Sequence, residues 1–436
     1  MLQLDISAAL AKIITPSMGI PDQEMNALRS TMRRYVEDWL AERREKGHGW
    51  AMSPYDRRTV DRVKEAAIHA KAMGIRTVVW IGIGGSGLGP RVIQEVFEGP
   101  DTVEFVILDT LDPSILSIAL STIDWRSALI VVASKSGDTL EPMSVFALCW
   151  EKLREVRKQK PAERVIAITD PEKGQLREFC LENGITMLPI ASDVGGRYSI
   201  FTPIGLLPLA LLGGDVNAFM RGAKEMDTLC QVTSLDDNPA ALLAAVQFLL
   251  DTRRGYSVRV IMPYMQRLES LARWNQQLIA ESLGKTETQN PIPLSAIGTQ
   301  DQHSLLQQWM AGPRKTWHIF IRDLEKPRVH VPEDIGGSFT YLRGKTFGQL
   351  LDACYEGTSR ALTSAKRPHV TLTLTRLDSN HLGQLFFLLM TEVVFLGKLY
   401  RIDPSGQPAV EFGKKSTKEI LSRGHEVDVC FVNGDL

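Results

Sequence analysis

Four short runs dominated by β-branched and other apolar residues most constrain this chain: RTVVWIG (76–82), EFVILD (104–109), ALIVVAS (128–134) and RVIAITD (164–170). They are apolar without alternation, and helix-like segments such as PMSVFALCWEKLREV (142–156) separate them. Strands of this kind are buried on both faces, which implies a parallel sheet with helices packed on either side. The pattern breaks near 213–238 and resumes with YSVRVIMPY (256–264), KTWHIFIRD (315–323) and HVTLTLTRL (369–377). Helices are expected between and after these runs, at 268–283, 346–365 and 381–400. A chain of 436 residues also exceeds what one hydrophobic core usually organises. The expectation is an α/β protein with a helical, amphipathic segment at 1–72, a first α/β domain at 73–225, a second at 226–400 and a tail rich in turns and charges at 401–436.

Charge narrows the partners. Fifty basic residues against 51 acidic ones leave a formal net charge of −1, so no general attraction to nucleic acid or anionic membrane is expected. Any anion site must be local. The five cysteines (Cys149, Cys180, Cys230, Cys354, Cys430) are scattered, which suits free thiols in a reducing compartment better than a disulfide framework. The N-terminus lacks the basic-then-apolar order of a secretory signal, and the run at 200–214 is too short to span a bilayer and contains two prolines. A soluble, cytoplasmic protein is expected.

Ligands of parallel α/β sheets bind beyond the carboxyl ends of the strands. The first such loop, GIGGSG (82–87), carries the G-x-G-x-x-G spacing of a dinucleotide site, ahead of a helix expected from Pro90. Asp109, ending the next run, stands about where a ribose-binding carboxylate would. Taken alone, this stretch reads as an NAD-dependent dehydrogenase. The third run, however, ends in SKSGDT (134–139), where Ser134, Ser136, Thr139, Lys135 and the turn at Gly137 offer several donors to one small anion. A helix starting near Glu141 would add its free N–H groups. Two such loops on one sheet suggest a single phosphate monoester gripped by hydroxyls and amides.

Other candidate residues are ambiguous on spacing alone. Arg197 follows Gly195-Gly196 just ahead of an apolar helix, as a surface arginine in a domain connection could. Glu281 sits near the end of an amphipathic helix and His303 at the start of the next, both common places for solvated residues. Gln407, Glu411 and Lys414 would share a face if the tail were helical, although Pro408 restricts its start. No histidines show metal-ligand spacing, so no metal site is expected.

The order of these segments decides among the readings. GIGGSGLGP, ASKSGDTLEP, DVGGRYSIFTPIGLLPLAL, AESLGK, TQDQHSLLQQ and GQPAVEFGKK, spread over residues 75–416, together resemble the phosphoglucose isomerase family in its shorter bacterial form. GGRYS and Q-x-x-V-E-x-x-K are the most specific of them. The resemblance implies two sugar-isomerase (SIS) domains, each a mainly parallel sheet flanked by helices. It implies interconversion of glucose 6-phosphate and fructose 6-phosphate by ring opening and proton transfer between C1 and C2. Residue by residue, it implies that Gly85, Ser86, Ser134, Lys135, Ser136 and Thr139 hold the sugar phosphate and that Gln407 lines the site. It makes Glu281 the base, Arg197 the active-site arginine, and His303 and Lys414 the ring-opening pair. It also implies a homodimer in which His303 reaches the partner's site. The chain departs from the family pattern at Asp138, which adds negative charge near the phosphate, and at Gly406 and Ala409 beside Gln407.

A dehydrogenase would leave SKSGDT, GGRYS and the Lys414 motif unemployed. A silent sugar-phosphate-binding SIS protein would have no use for Glu281, His303 and Lys414 together. An isomerase that also accepts mannose 6-phosphate would keep most of these residues, and sequence leaves that alternative open.

Overall fold

A computed structural model describes residues 2–44, 48–157, 160–288 and 290–423. Among these residues, two five-stranded sheets organise the chain. The strands are β1 (Gln3–Asp5), β2 (Thr77–Ile81), β3 (Glu104–Leu108), β4 (Ala128–Ala133), β5 (Val165–Thr169), β6 (Thr186–Pro189), β7 (Val258–Pro263), β8 (Ile292–Ser295), β9 (Thr316–Asp323) and β10 (His369–Leu374).

The first sheet runs β3-β2-β4-β5-β6, and every pairing in it is parallel. Every residue of β2, β4 and β5 is buried, as the unalternating runs predict. Their period-two alternation sorts them between two cores. Val78, Trp80, Leu129 and Val131 face one side, and Val79, Ile81, Ile130 and Val132 the other. The chain leaves β2 toward β3 on one side but leaves β4 toward β5 on the other. The carboxyl ends of β2 and β4 therefore flank a topological switch point, where a crevice opens. GIGGSG and SKSGDT sit at those two ends.

The second sheet runs β1-β10-β9-β7-β8, parallel except for β1, which pairs antiparallel with β10. This corrects the all-helical reading of 1–72. Helices Asp22–Glu42 and Arg57–Ala72 are present, but Gln3–Asp5 forms an edge strand on the far sheet. Strands β6 and β8 were not expected either. Both are short edge strands containing proline, whose missing N–H is tolerated at an edge.

Helix Ser379–Tyr400 is by length and composition long enough to cross a membrane, more so than the run at 200–214. Its place is internal: 94% of its apolar window is buried, and Glu392 is paired there with Arg259, with Nη1–Oε1 at 2.5 Å and Nη2–Oε2 at 2.9 Å. Burial pushes the Glu392 carboxyl up, opposed by that arginine. Residues of this helix and of both sheets (Val78, Trp80, Ile319, Leu372, Phe387) join in one continuous apolar cluster, which fixes the sheets against each other.

Candidate active site

A cleft of about 1020 Å³ opens over the carboxyl ends of β2 and β4. Gly85, Ser86, Ser134, Lys135, Ser136, Thr139, Arg197, Glu281, Gln407 and Lys414 all line it. Residues separated by more than three hundred positions in sequence thus meet in one place.

The first wall begins with a correction. The helix after β2 starts at Gly85, not Pro90, so the glycines form its first turn, in which the Ser86 and Gly87 N–H groups donate to the Ile83 and Gly84 carbonyls at 3.1 and 3.0 Å. Gly84, the residue before it, has φ +57° and ψ −127°, a conformation glycine tolerates. A Cβ on Gly85 would lie 2.2 Å from the Gly196 carbonyl oxygen. Glycine there lets the first loop abut the loop that carries Arg197. Asp109, the candidate ribose ligand, is paired with Arg91 at 2.8 Å.

The second wall is SKSGDT. Helix Leu140–Val156 follows it, with Thr139 as N-cap residue, but the threonine hydroxyl makes no cap bond. It lies 3.1 Å from the Ser136 hydroxyl, and together they present a hydroxyl pair to the cleft. Ser134 is buried, and its Oγ accepts from the Gly137 N–H at 3.2 Å, which shapes the turn. Lys135 is not a free ammonium over the anion site. Its Nζ donates to the carbonyls of Ser192 and Val194, both at 2.7 Å, and ties this loop to the segment leading into Arg197. Burial holds its pKa below that of an ordinary lysine. The Ser136 hydroxyl and, 3.4 Å away, Lys418 hold the Asp138 carboxyl below the usual carboxylate range.

Arg197 anchors the reacting end. Its side chain is 3% exposed, and its hydrogen-bond partners come from two distant parts of the chain. Nε donates to Ser282 Oγ at 2.7 Å, and Nη1 to Glu281 Oε2 at 3.1 Å and Gln407 Oε1 at 2.9 Å. Nη2 donates to the carbonyls of Pro404 at 2.6 Å and Gly406 at 3.0 Å. The Tyr198 hydroxyl shares Ser282 Oγ at 2.9 Å, and the guanidinium lies over the Tyr198 ring. Glu281 projects from helix Glu269–Leu283, and its Oε1 accepts from Gln277 Nε2 at 2.8 Å. The surface-arginine reading of Arg197 is thereby excluded.

The tail supplies the last side. Gln407 precedes a short turn, Pro408–Val410, and helix Glu411–Arg423 then carries Lys414, whose Nζ is 2.8 Å from Glu411 Oε1. Gln407, Glu411 and Lys414 therefore do not share one helix face, because the helix begins only at Glu411. His303 is exposed on the short helix Gln300–Ser304 and does not line this cleft. Cys430 lies outside the described residues. Among the described residues, no group of three His, Cys, Asp or Glu side chains is placed to hold a metal ion.

Sequence reasoning gave no part to Lys285, Ser282, Gln277 or Lys418. Lys285 sits in the quoted AESLGK stretch, and that stretch was the signal available for it.

Residues 57–430 match the family described as Phosphoglucose isomerase. The chain belongs to the phosphoglucose isomerase family. It is 34% identical over 432 residues to a glucose-6-phosphate isomerase of Rubrobacter xylanophilus, covering 96% of this chain and 98% of that one. A glucose-6-phosphate isomerase of Thermus thermophilus is 34% identical over 392 residues, covering 88% and 93%. Among solved structures, a Thermus thermophilus protein described as hypothetical is 31% identical, with a TM-score of 0.87 over 97% of this chain and all of its own. A glucose-6-phosphate isomerase of Chlamydia trachomatis shares the fold at 22% identity, with a TM-score of 0.80 over 93% of this chain and 87% of its own. As a phosphoglucose isomerase family member the chain is an aldose–ketose isomerase, and the dinucleotide reading of GIGGSG falls away.

Proposed function

We propose that this chain interconverts glucose 6-phosphate and fructose 6-phosphate through an enediolate. The observation that carries the reading is the meeting of Glu281, Arg197 and Gln407 in the cleft that also contains the hydroxyl-rich SKSGDT loop.

The chemistry follows from those parts. Phosphate, held by the Ser136–Thr139 pair and the two helix N-termini, anchors the far end of the sugar, so that remote binding energy positions C1 and C2. One carboxylate over both carbons can take the proton from C2 and return it to C1, which is the part of Glu281. Arg197, buried and held on all sides, keeps positive charge where the enediolate develops negative charge. Lys414 and His303 exchange protons with the ring oxygen and the C1 hydroxyl. No step in this scheme calls for a metal or a nucleotide.

His303 belongs to the scheme only if it enters a neighbouring cleft, and its exposure on Gln300–Ser304 supports that arrangement. The protein then works as a homodimer whose subunits exchange this histidine. Its near-neutral net charge and the free thiols of Cys149, Cys180, Cys230 and Cys354 support a cytoplasmic protein with no nucleic-acid or membrane partner.

The test is conversion of fructose 6-phosphate by purified wild type and by Glu281→Gln, with inorganic phosphate inhibition measured on both binding and rate. Wild type is expected to turn over, and Glu281→Gln to lose about 10²- to 10⁴-fold in kcat while binding phosphate unchanged. A variant that kept most of its kcat would remove Glu281 as the base. An inactive wild type would remove the reaction.

A further inference from the structure

The segment Asp403-Pro404-Ser405-Gly406 is gripped by two cations that take its carbonyls in turn. Lys285 Nζ donates to the Asp403 carbonyl at 2.7 Å and the Ser405 carbonyl at 2.5 Å. Arg197 Nη2 donates to those of Pro404 and Gly406, the residues between. Four successive carbonyl dipoles thus point alternately at an ammonium and a guanidinium. Charged donors make such bonds stronger than neutral ones.

What this segment carries gives the arrangement its meaning. Gln407 comes next, followed by the helix that bears Lys414, so the placement of both depends on the backbone at 403–406. Lys285 itself is fixed two residues beyond helix Glu269–Leu283, which bears Glu281, with its N–H on the Leu283 carbonyl at 2.8 Å. It is half-buried and lies near Arg197, and both lower its pKa, burial the more. Keeping a charge there has a cost, which the two carbonyls offset.

We propose that Lys285 is a positioning residue: it locks the tail segment to the end of the Glu281 helix and so holds Gln407 and Lys414 in register with Glu281. The proposal rests on the isomerase reading for its kinetic consequence, but the clamp itself is a property of the fold. Lys285 acts through the tail and need not touch substrate.

The experiment compares Lys285→Met, Lys285→Arg and wild type by steady-state kinetics, inorganic phosphate inhibition, thermal unfolding, and hydrogen exchange over 401–423. In Lys285→Met, exchange in 401–423 is expected to rise while that of 269–283 stays as in wild type. Its kcat on cyclic substrate should fall about tenfold or more, since small displacements of positioned groups cost that much. The phosphate inhibition constant should change by less than about twofold, because the phosphate loops are untouched. Lys285→Arg should recover most of the loss, because a guanidinium can span two carbonyls. Unchanged kcat with increased tail exchange would overturn the positioning role. Unchanged exchange would overturn the clamp. A common loss of kcat, phosphate inhibition and melting temperature would make Lys285 merely structural. If Lys285→Met does not fold, Lys285→Arg carries the test: poor kcat with intact exchange contradicts the proposal. If wild type proves inactive, the isomerase reading has failed, and the exchange data still decide the clamp.

Discussion

Arg197 Nη1 lies 3.1 Å from Glu281 Oε2, and the same guanidinium has its other N–H groups engaged by Ser282, Gln407, Pro404 and Gly406. A guanidinium has five N–H donors, and all are spoken for here. Arg197 therefore offers the enediolate a fixed charge rather than a spare hydrogen bond.

Lysine cannot reproduce that geometry. Arg197→Lys keeps the charge but loses the fork, so Gln407 and the 404–406 carbonyls lose their anchor. We expect kcat to fall about 10²- to 10³-fold, the scale of a lost preorganised electrostatic group. Steady-state kinetics check this, and a loss of less than threefold would show that charge alone suffices.

The hydroxyl pair of SKSGDT makes a separable prediction. Ser136→Ala with Thr139→Ala removes two donors 3.1 Å apart without touching the Arg197 end. KM for the sugar phosphate should rise about tenfold or more, at about 1 kcal/mol or more per lost bond to a charged group, with a smaller change in kcat. Ser134→Ala differs, because Ser134 shapes the turn through Gly137. An unchanged KM in the double variant would move the phosphate elsewhere.

How much of this could be read from sequence depends on how far each interaction reaches. The unalternating runs located β2, β4 and β5 because burial on both faces leaves its mark within each strand. Thr186–Pro189 and Ile292–Ser295 left no such mark, being short, edge-placed and interrupted by proline. Glycines at 84–87 read as loop, yet Gly85–Phe97 is helical, and Gly85 is where the Gly196 backbone leaves no room for a side chain. Family resemblance picked out candidates that meet in one cleft, His303 excepted. It could not tell that the Lys135 ammonium is held by carbonyls 57 and 59 residues away, or Lys285 by carbonyls 118 and 120 away. Carbonyls carry no side-chain signature, so such partners appear only once the chain has folded.

The exchange of His303 between subunits can be tested by mixing. Glu281→Gln and His303→Ala subunits, each nearly inactive on cyclic substrate, should regain about a quarter of wild-type activity when dissociated and reassembled. Half of the random dimers are then hybrids, and each hybrid contains one intact site. Activity that stays at background would place His303 with its own subunit's Glu281, and a His303→Ala protein active on its own would place it outside catalysis.

Two buried histidines outside the cleft contribute to how stability depends on acid pH. His318 is buried beside Trp309 and Phe320, and neither ring nitrogen has a hydrogen-bond partner among the described residues. Burial, with help from His369 and Arg367, pushes its pKa down to about 3, and burial takes His369 down to about 4. In the unfolded chain both titrate near about 6.5. Their contribution is therefore complete above that pH and is lost as pH falls toward the folded values, because the unfolded state binds the protons first. His318→Phe should flatten this limb, losing about 2 kcal/mol less than wild type between pH 7 and pH 5. Urea midpoints at the two pH values check it, and parallel slopes would contradict it.

Proton transfer between C1 and C2, with no nucleotide taking part, defines the proposed reaction. Its most direct measurement is proton NMR of fructose 6-phosphate with the purified protein in D₂O, without added nicotinamide. Glucose 6-phosphate with deuterium entering at C2 is the expected product, and mannose 6-phosphate beside it would show that protonation at C2 is not confined to one face. A folded protein that binds the sugar phosphate yet gives neither conversion nor exchange would rule out the proposed proton transfer.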